Sequence, residues 1–108
     1  MAYLKKYFDY LAILEKSNRQ LQLNNIDVLL LNVIAKARSE DRTLNVKDLL
    51  LLKDIASQAT IHGRLKKLVH AKLITLKATK GDGRLKEVEL TRLANKRYEI
   101  LSKAIEKA

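Results

Sequence analysis

Ser57-Gln58-Ala59-Thr60-Ile61-His62-Gly63-Arg64-Leu65-Lys66-Lys67-Leu68 opens the stretch on which the reading of this chain turns. Ser57 offers a side-chain oxygen able to cap a helix, and Ile61, Leu65, Leu68 and Val69 recur at the spacing of one buried stripe. Gln58, Ala59, Thr60, His62, Gly63, Lys66 and Lys67 are left for other faces. Soon after, Ile74, Leu76 and Ala78 alternate with Thr75, Lys77 and Thr79, and Val88 and Leu90 alternate with Glu87 and Glu89. That is the period of half-buried antiparallel strands. Between the runs, Lys80-Gly81-Asp82-Gly83-Arg84 carries glycines that can take the positive φ a hairpin tip demands. A capped helix and a basic-tipped hairpin therefore follow one another.

Upstream, Thr43-Leu44-Asn45-Val46 is short and β-prone enough for an edge strand, and Asn45 with Asp48 has the spacing of a capping box. A short helix from about Val46 to Lys53, with Leu49, Leu50 and Leu52 inward, leads through the turn Lys53-Asp54-Ile55-Ala56 to Ser57. Two helices joined this closely outline a helix-turn-helix. Before them, a helix beginning at Asn24 or Asn25 places Ile26, Leu29, Leu30, Val33, Ile34 and Ala37 on one core-facing stripe, widened by Val28 and Leu31. The polar stretch 38–42 ends it.

The terminal segments are helical by the same criterion. Residues 3 to about 17 set Leu4, Tyr7, Phe8, Leu11, Ile13 and Leu14 against Lys5, Lys6, Asp9, Glu15 and Lys16, and hold four of the five Tyr and Phe residues. Thr91 caps a last helix with Leu93, Ala94, Arg97, Tyr98, Leu101, Ala104 and Ile105 at helical spacing. These stripes exceed what a small body needs. They lead us to expect a homodimer interface built by residues 1–20 and 92–108 from Tyr3, Leu4, Tyr7, Phe8, Leu11, Tyr98, Leu101 and Ile105. The competing reading is that both helices close over their own core.

The whole reads as one domain over 1–108, mainly α with a small antiparallel β-hairpin: a winged helix-turn-helix with additional N- and C-terminal helices. No proline and only three glycines favour long helices. Net charge is +10, and between Ser57 and Lys86 eight basic side chains face the single acid Asp82. A field of that sign attracts polyanions, double-stranded DNA first among them. Gln58 can pair with adenine, Ala59 and Thr60 can touch a thymine methyl, and Lys66 or Lys67 can reach guanine or phosphate. Gly63 costs about 1 kcal/mol relative to Ala inside a helix, so either DNA or a tightly crossed helix is expected to approach it.

Other classes find little support. The two histidines, His62 and His70, lack a carboxylate or thiol partner, and no nucleophile motif, phosphate-binding glycine loop or metal-ligand cluster occurs. Neither catalysis, a metal nor a cofactor is expected. Glu87 and Glu89 beside Lys77 and Lys86 read as cross-strand ion pairs. Without cysteine, a signal-peptide core or a membrane-spanning run, a cytoplasmic protein with no membrane partner is the expectation. The alternative function is a winged helix used as an interaction module in a replication, partition or RNA-associated assembly.

From Ser57 to Leu90 the chain resembles the MarR family of bacterial transcriptional regulators, and less closely the SarA group. The turn Ala71-Lys72-Leu73-Ile74 and the wing signature Asp82-Gly83-Arg84 ahead of Leu90-Thr91 carry the likeness, which spans about 22 to 105. Lys72 stands where the family has glycine. The resemblance implies that Ser57, Gln58, Ala59, Thr60, His62, Gly63, Lys66 and Lys67 lie on a recognition helix in the major groove. It further implies that Lys80 and Arg84 sit on a wing, with Arg84 in the minor groove and Asp82 orienting it. A small-molecule effector is compatible with the family, but no residue indicates one.

Overall fold

The computed structural model describes residues 1–79 and 81–107, with the backbone alone at Thr79, Asp82, Gly83 and Arg84. The order is α1 (Ala2–Gln20), α2 (Asn25–Ser39), β1 (Leu44–Asn45), α3 (Val46–Leu50), α4 (Gln58–His70), β2 (Ile74–Thr79), β3 (Asp82–Leu90) and α5 (Arg92–Lys107). The strands form an antiparallel sheet in the order β1-β3-β2, with Leu44 opposite Val88 and Ile74 opposite Leu90. Two-residue β1 is the edge strand its sequence suggests.

Short polar side chains set the helix starts. Asn24 and Asn45 each accept from the amide three residues on, while Asp27 and Asp48 accept from the Asn24 and Asn45 amides, so two reciprocal capping boxes open α2 and α3. The Ser57 hydroxyl accepts from the Thr60 amide to open α4, and the Thr91 hydroxyl accepts from the Ala94 amide to open α5. In a chain with so few glycines, the helix ends are less ordinary. Gln22, Asp41 and Lys72 follow α1, α2 and α4 with φ of 55°, 55° and 63°. Each motif sends two amides back to the last turn, as with Lys72 to the Val69 carbonyl and Leu73 to that of Leu68, both at 3.0 Å. This is the Schellman arrangement, normally built on glycine because a Cβ is strained there. Lys72 therefore adopts the left-handed turn that glycine ordinarily takes at a helix end.

Leu30, Leu31, Ile34, Leu49, Ile61, Leu65, Leu68, Leu73, Ile74, Val88 and Ala94 make one core at the junction of α2, α3, α4, the sheet and the start of α5. Leu29, expected inside, is exposed, whereas Leu31 is fully buried; the buried face of α2 is turned toward Asp27 and Leu31. Val69 is also more exposed than its stripe suggested, because the α4 core face is centred on Ile61, Leu65 and Leu68. The short helix α3 stops at Leu50, leaving half-buried Leu52 in the connection to α4. Lys77 lies opposite Glu87 and Lys86 opposite Ala78, but no cross-strand salt bridge closes among the described residues. Exposed pairs gain too little to hold two long side chains together.

Helix α1 buries no residue fully and packs against α5 through its second half, where Tyr10, Leu11, Leu14 and Asn18 are half-buried. No helix among the described residues is long and apolar enough to cross a membrane.

Candidate nucleic-acid interface

Helix α4 offers the face that its sequence suggested. With Ile61, Leu65 and Leu68 fixed in the core, Ser57, Gln58, Ala59, Thr60, His62, Gly63, Lys66 and Lys67 are all exposed. Ser57 is partly committed: besides capping the helix, its hydroxyl donates to Thr60 Oγ1 at 3.0 Å. The remaining side chains present amide, methyl, imidazole and ammonium groups along one helix. At Gly63 an added Cβ would meet nothing within 4 Å, which removes the tightly crossed helix as the reason for this glycine.

The hairpin stands beside that helix. The Schellman turn at Lys72 carries α4 into β2, and Val46, His62, Leu65, Lys66, Val69 and Leu76 enclose a depression of ≈ 190 Å³ between α4 and the hairpin base. Lys77 on β2 and Lys86 on β3 are both exposed. Gly81 takes φ of +93° in the connection, and Asp82 begins β3 instead of standing at the tip. The register shifts between Ala78, opposite Lys86, and Thr79, opposite Asp82; such an irregularity increases local twist. Lys80 and the side chains of Asp82 and Arg84 lie outside the described residues, so the proposed Asp82 to Arg84 contact does too.

Arg64 does not join the exposed cations. Its Nε and Nη2 each donate at 2.7 Å to Asp27, one to either carboxylate oxygen, and Asp27 is 1% exposed. The hydrogen bond to Asp27 is the largest influence on the guanidinium and raises its pKa, with partial desolvation opposing. The sequence marks the place of each partner, though not their pairing. Asn24 and Asp27 have capping-box spacing, and Arg64 sits three residues after Ile61, on the edge of the buried stripe.

The residues expected at a dimer interface divide into two groups. Tyr3, Leu4, Tyr7, Phe8 and Ile105 are exposed, and Leu11 is half-buried. Leu101, at 6% exposure, instead packs inside its own chain, and Tyr98 is half-buried with its hydroxyl donating to Asn32 Oδ1 at 2.7 Å. Their place in the α5 stripe is satisfied within the monomer. Arg97 was expected only as part of that stripe; it is 3% exposed, with Nη2 bonded to Asn18 Oδ1 and, among the described residues, no partner for Nε or Nη1.

No protein-family model matches this sequence, and no curated protein matches it. Solved structures do. The chain is similar to MepR of S. aureus in a MepR-DNA complex, with 18% identity over 99% of this chain and 78% of that one, at a TM-score of 0.74. It is similar to reduced AbfR bound to DNA, with 19% identity over 99% of this chain and 74% of that one, at a TM-score of 0.63. AdcR, the adhesin competence repressor of Streptococcus pyogenes, shares 27% identity over 96% of this chain and 72% of its own, at a TM-score of 0.59. The helix-turn-helix, three-stranded sheet and flanking helices of this chain thus form the MarR-like winged-helix fold.

Proposed function

We propose that this protein is a sequence-specific double-stranded DNA-binding transcriptional regulator of the MarR type. The observation that carries the reading is the α4 surface: a capped helix with its apolar side in the core and Gln58, Ala59, Thr60, His62, Gly63, Lys66 and Lys67 outward, next to a hairpin that bears exposed Lys77 and Lys86. Support comes also from MepR and AbfR, whose similar structures are bound to DNA. In this reading α4 enters the major groove while the wing, with Lys80, Asp82 and Arg84, follows the minor groove. The chain acts as a binding protein, with no step of catalysis asked of it.

A homodimer completes the reading, seated through Tyr3, Leu4, Tyr7 and Phe8 of α1 and Ile105 of α5, whose apolar surface is open in the single chain. Burying one such side chain contributes about 1.5–3 kcal/mol, a strong incentive for association. Two recognition helices about 34 Å apart then call for a pseudo-palindromic site in cytoplasmic DNA.

Gel shifts on the DNA around the coding region, repeated across salt concentrations, test the proposal. A footprint with steep salt dependence is expected, and Arg84→Ala should weaken it with the fold intact. Salt-insensitive association, or equal binding to every duplex, would favour an interaction module instead.

A further inference from the structure

The exposed face of α4 reads bases only if the helix is held at one rotation about its axis, and its apolar contacts are poorly suited to that task. Ile61, Leu65 and Leu68 keep α4 against the core through non-directional burial. A roll of about 20° would cost them little yet move a side-chain tip about 6 Å from the axis by about 2 Å, enough to break a hydrogen bond. Something directional must resist it.

Arg64 is so placed. At about 100° per residue it lies some 60° from Ile61, on the flank of α4 turned toward α2, whereas His62 and Val69 lie on the flank turned toward the hairpin. Its planar fork closes on both oxygens of Asp27 at 2.7 Å, a geometry that specifies direction as well as distance. Asp27 is itself immobilised: its Oδ2 also accepts from the Asn24 amide at 2.9 Å, and its own amide donates to Asn24 Oδ1 at 2.8 Å. The first turn of α2 is thus a fixed anchor. Directly before it, the Schellman turn at Gln22 ends α1, so the fork fastens α4 to the α1–α2 corner.

We infer that Arg64 and Asp27 are a positioning couple for DNA discrimination: the fork sets the rotation of α4, and through it which side chains meet base edges, without touching DNA itself. The inference rests on the DNA-binding reading. It assigns Arg64 a part that the basic cluster around it conceals, since six neighbouring lysines and arginines from Lys66 to Arg84 invite its description as one more phosphate contact.

The test uses the full chain and Arg64→Lys, which keeps the charge and loses the fork. Residual dipolar couplings of the DNA-free protein report the orientation of α4 relative to α2. A changed or averaged α4 orientation with α2 and the sheet preserved is expected, and an unchanged one overturns the inference. The second readout compares a duplex selected from a random pool by the wild-type chain with a shuffled duplex of the same composition. Arg64→Lys should lower the selected-to-shuffled affinity ratio at least tenfold, leaving the shuffled affinity and its salt slope as they were. Equal weakening on both duplexes overturns it, as does an undiminished ratio. Should Arg64→Lys fail to fold, Asp27→Asn/Arg64→Gln, which leaves no buried charge, carries both measurements with the same expected results. A wild-type chain that selects no duplex would strike down the DNA-binding reading, while the dipolar couplings still decide whether the fork orients α4.

Discussion

The Thr91 hydroxyl donates to the carbonyl of Lys72 at 2.7 Å, joining the left-handed turn that ends α4 to the residue that starts α5. The same oxygen accepts from the Ala94 amide, and the Thr91 amide donates to the Leu73 carbonyl at 3.1 Å. One side chain therefore caps α5 and ties it to the exit of α4. Thr91→Ala should cost about 1–2 kcal/mol in chemical denaturation, and Thr91→Ser should recover most of that. Lys72→Gly acts in the opposite direction, because glycine relieves the Cβ strain at φ of 63°. A gain of about 1 kcal/mol is expected; a loss would mean that the lysine side chain contributes more than its backbone strain costs.

Gly63 separates stability from binding. None of the described residues comes within 4 Å of a Cβ placed there, so Gly63→Ala should stabilise the fold by about 1 kcal/mol in thermal or urea unfolding. Gly63→Leu should leave the fold intact and reduce duplex affinity at least tenfold if DNA comes close to this part of α4. Full affinity in the leucine variant would show that the glycine serves no close approach.

Arg97 presents a buried guanidinium with Nε and Nη1 unpartnered among the described residues. Leaving such donors dry is costly, and an apolar side chain of similar length removes that cost along with the single bond to Asn18. Arg97→Met should raise stability by about 1–3 kcal/mol at neutral pH. A destabilised variant in equilibrium unfolding would show that those donors are satisfied in solution.

Tyr98 gives the fold an alkaline signature. Burial raises its pKa, and Arg97, stacked 5.2 Å from the ring centroid, only partly opposes the rise. Because the folded value is raised, the unfolded chain releases this proton first. The associated stability is complete below about pH 10 and is lost as pH climbs through the folded value. Melting temperatures taken across that window should fall more steeply for the wild type than for Tyr98→Phe.

Much was legible in the chain because it is governed by near neighbours. The caps at Asn24, Asn45, Ser57 and Thr91, the stripe Ile61-Leu65-Leu68 and the alternation from Ile74 to Leu90 are local patterns, and each became the element that it implied. The exposed character of Gln58, Ala59, His62, Lys66 and Lys67 follows from that stripe alone. Periodicity is less informative at the edges of a stripe, where Leu29 and Val69 turned outward. Which flank of a helix is covered depends on where the neighbouring helices cross it.

Charge assignments depended still more on tertiary structure. By local pattern Arg64 is one cation in a basic cluster and Arg97 a polar interruption of an apolar stripe. Only packing brings Asp27 across 37 positions to meet Arg64, and Asn18 across 79 to meet Arg97. The amino-acid order by itself determined where helices and strands begin, which face of α4 is apolar, and the sign of its field. The tertiary structure alone decided which charges are consumed inside the molecule, because pairing in the interior is set by distances between elements that no local spacing encodes.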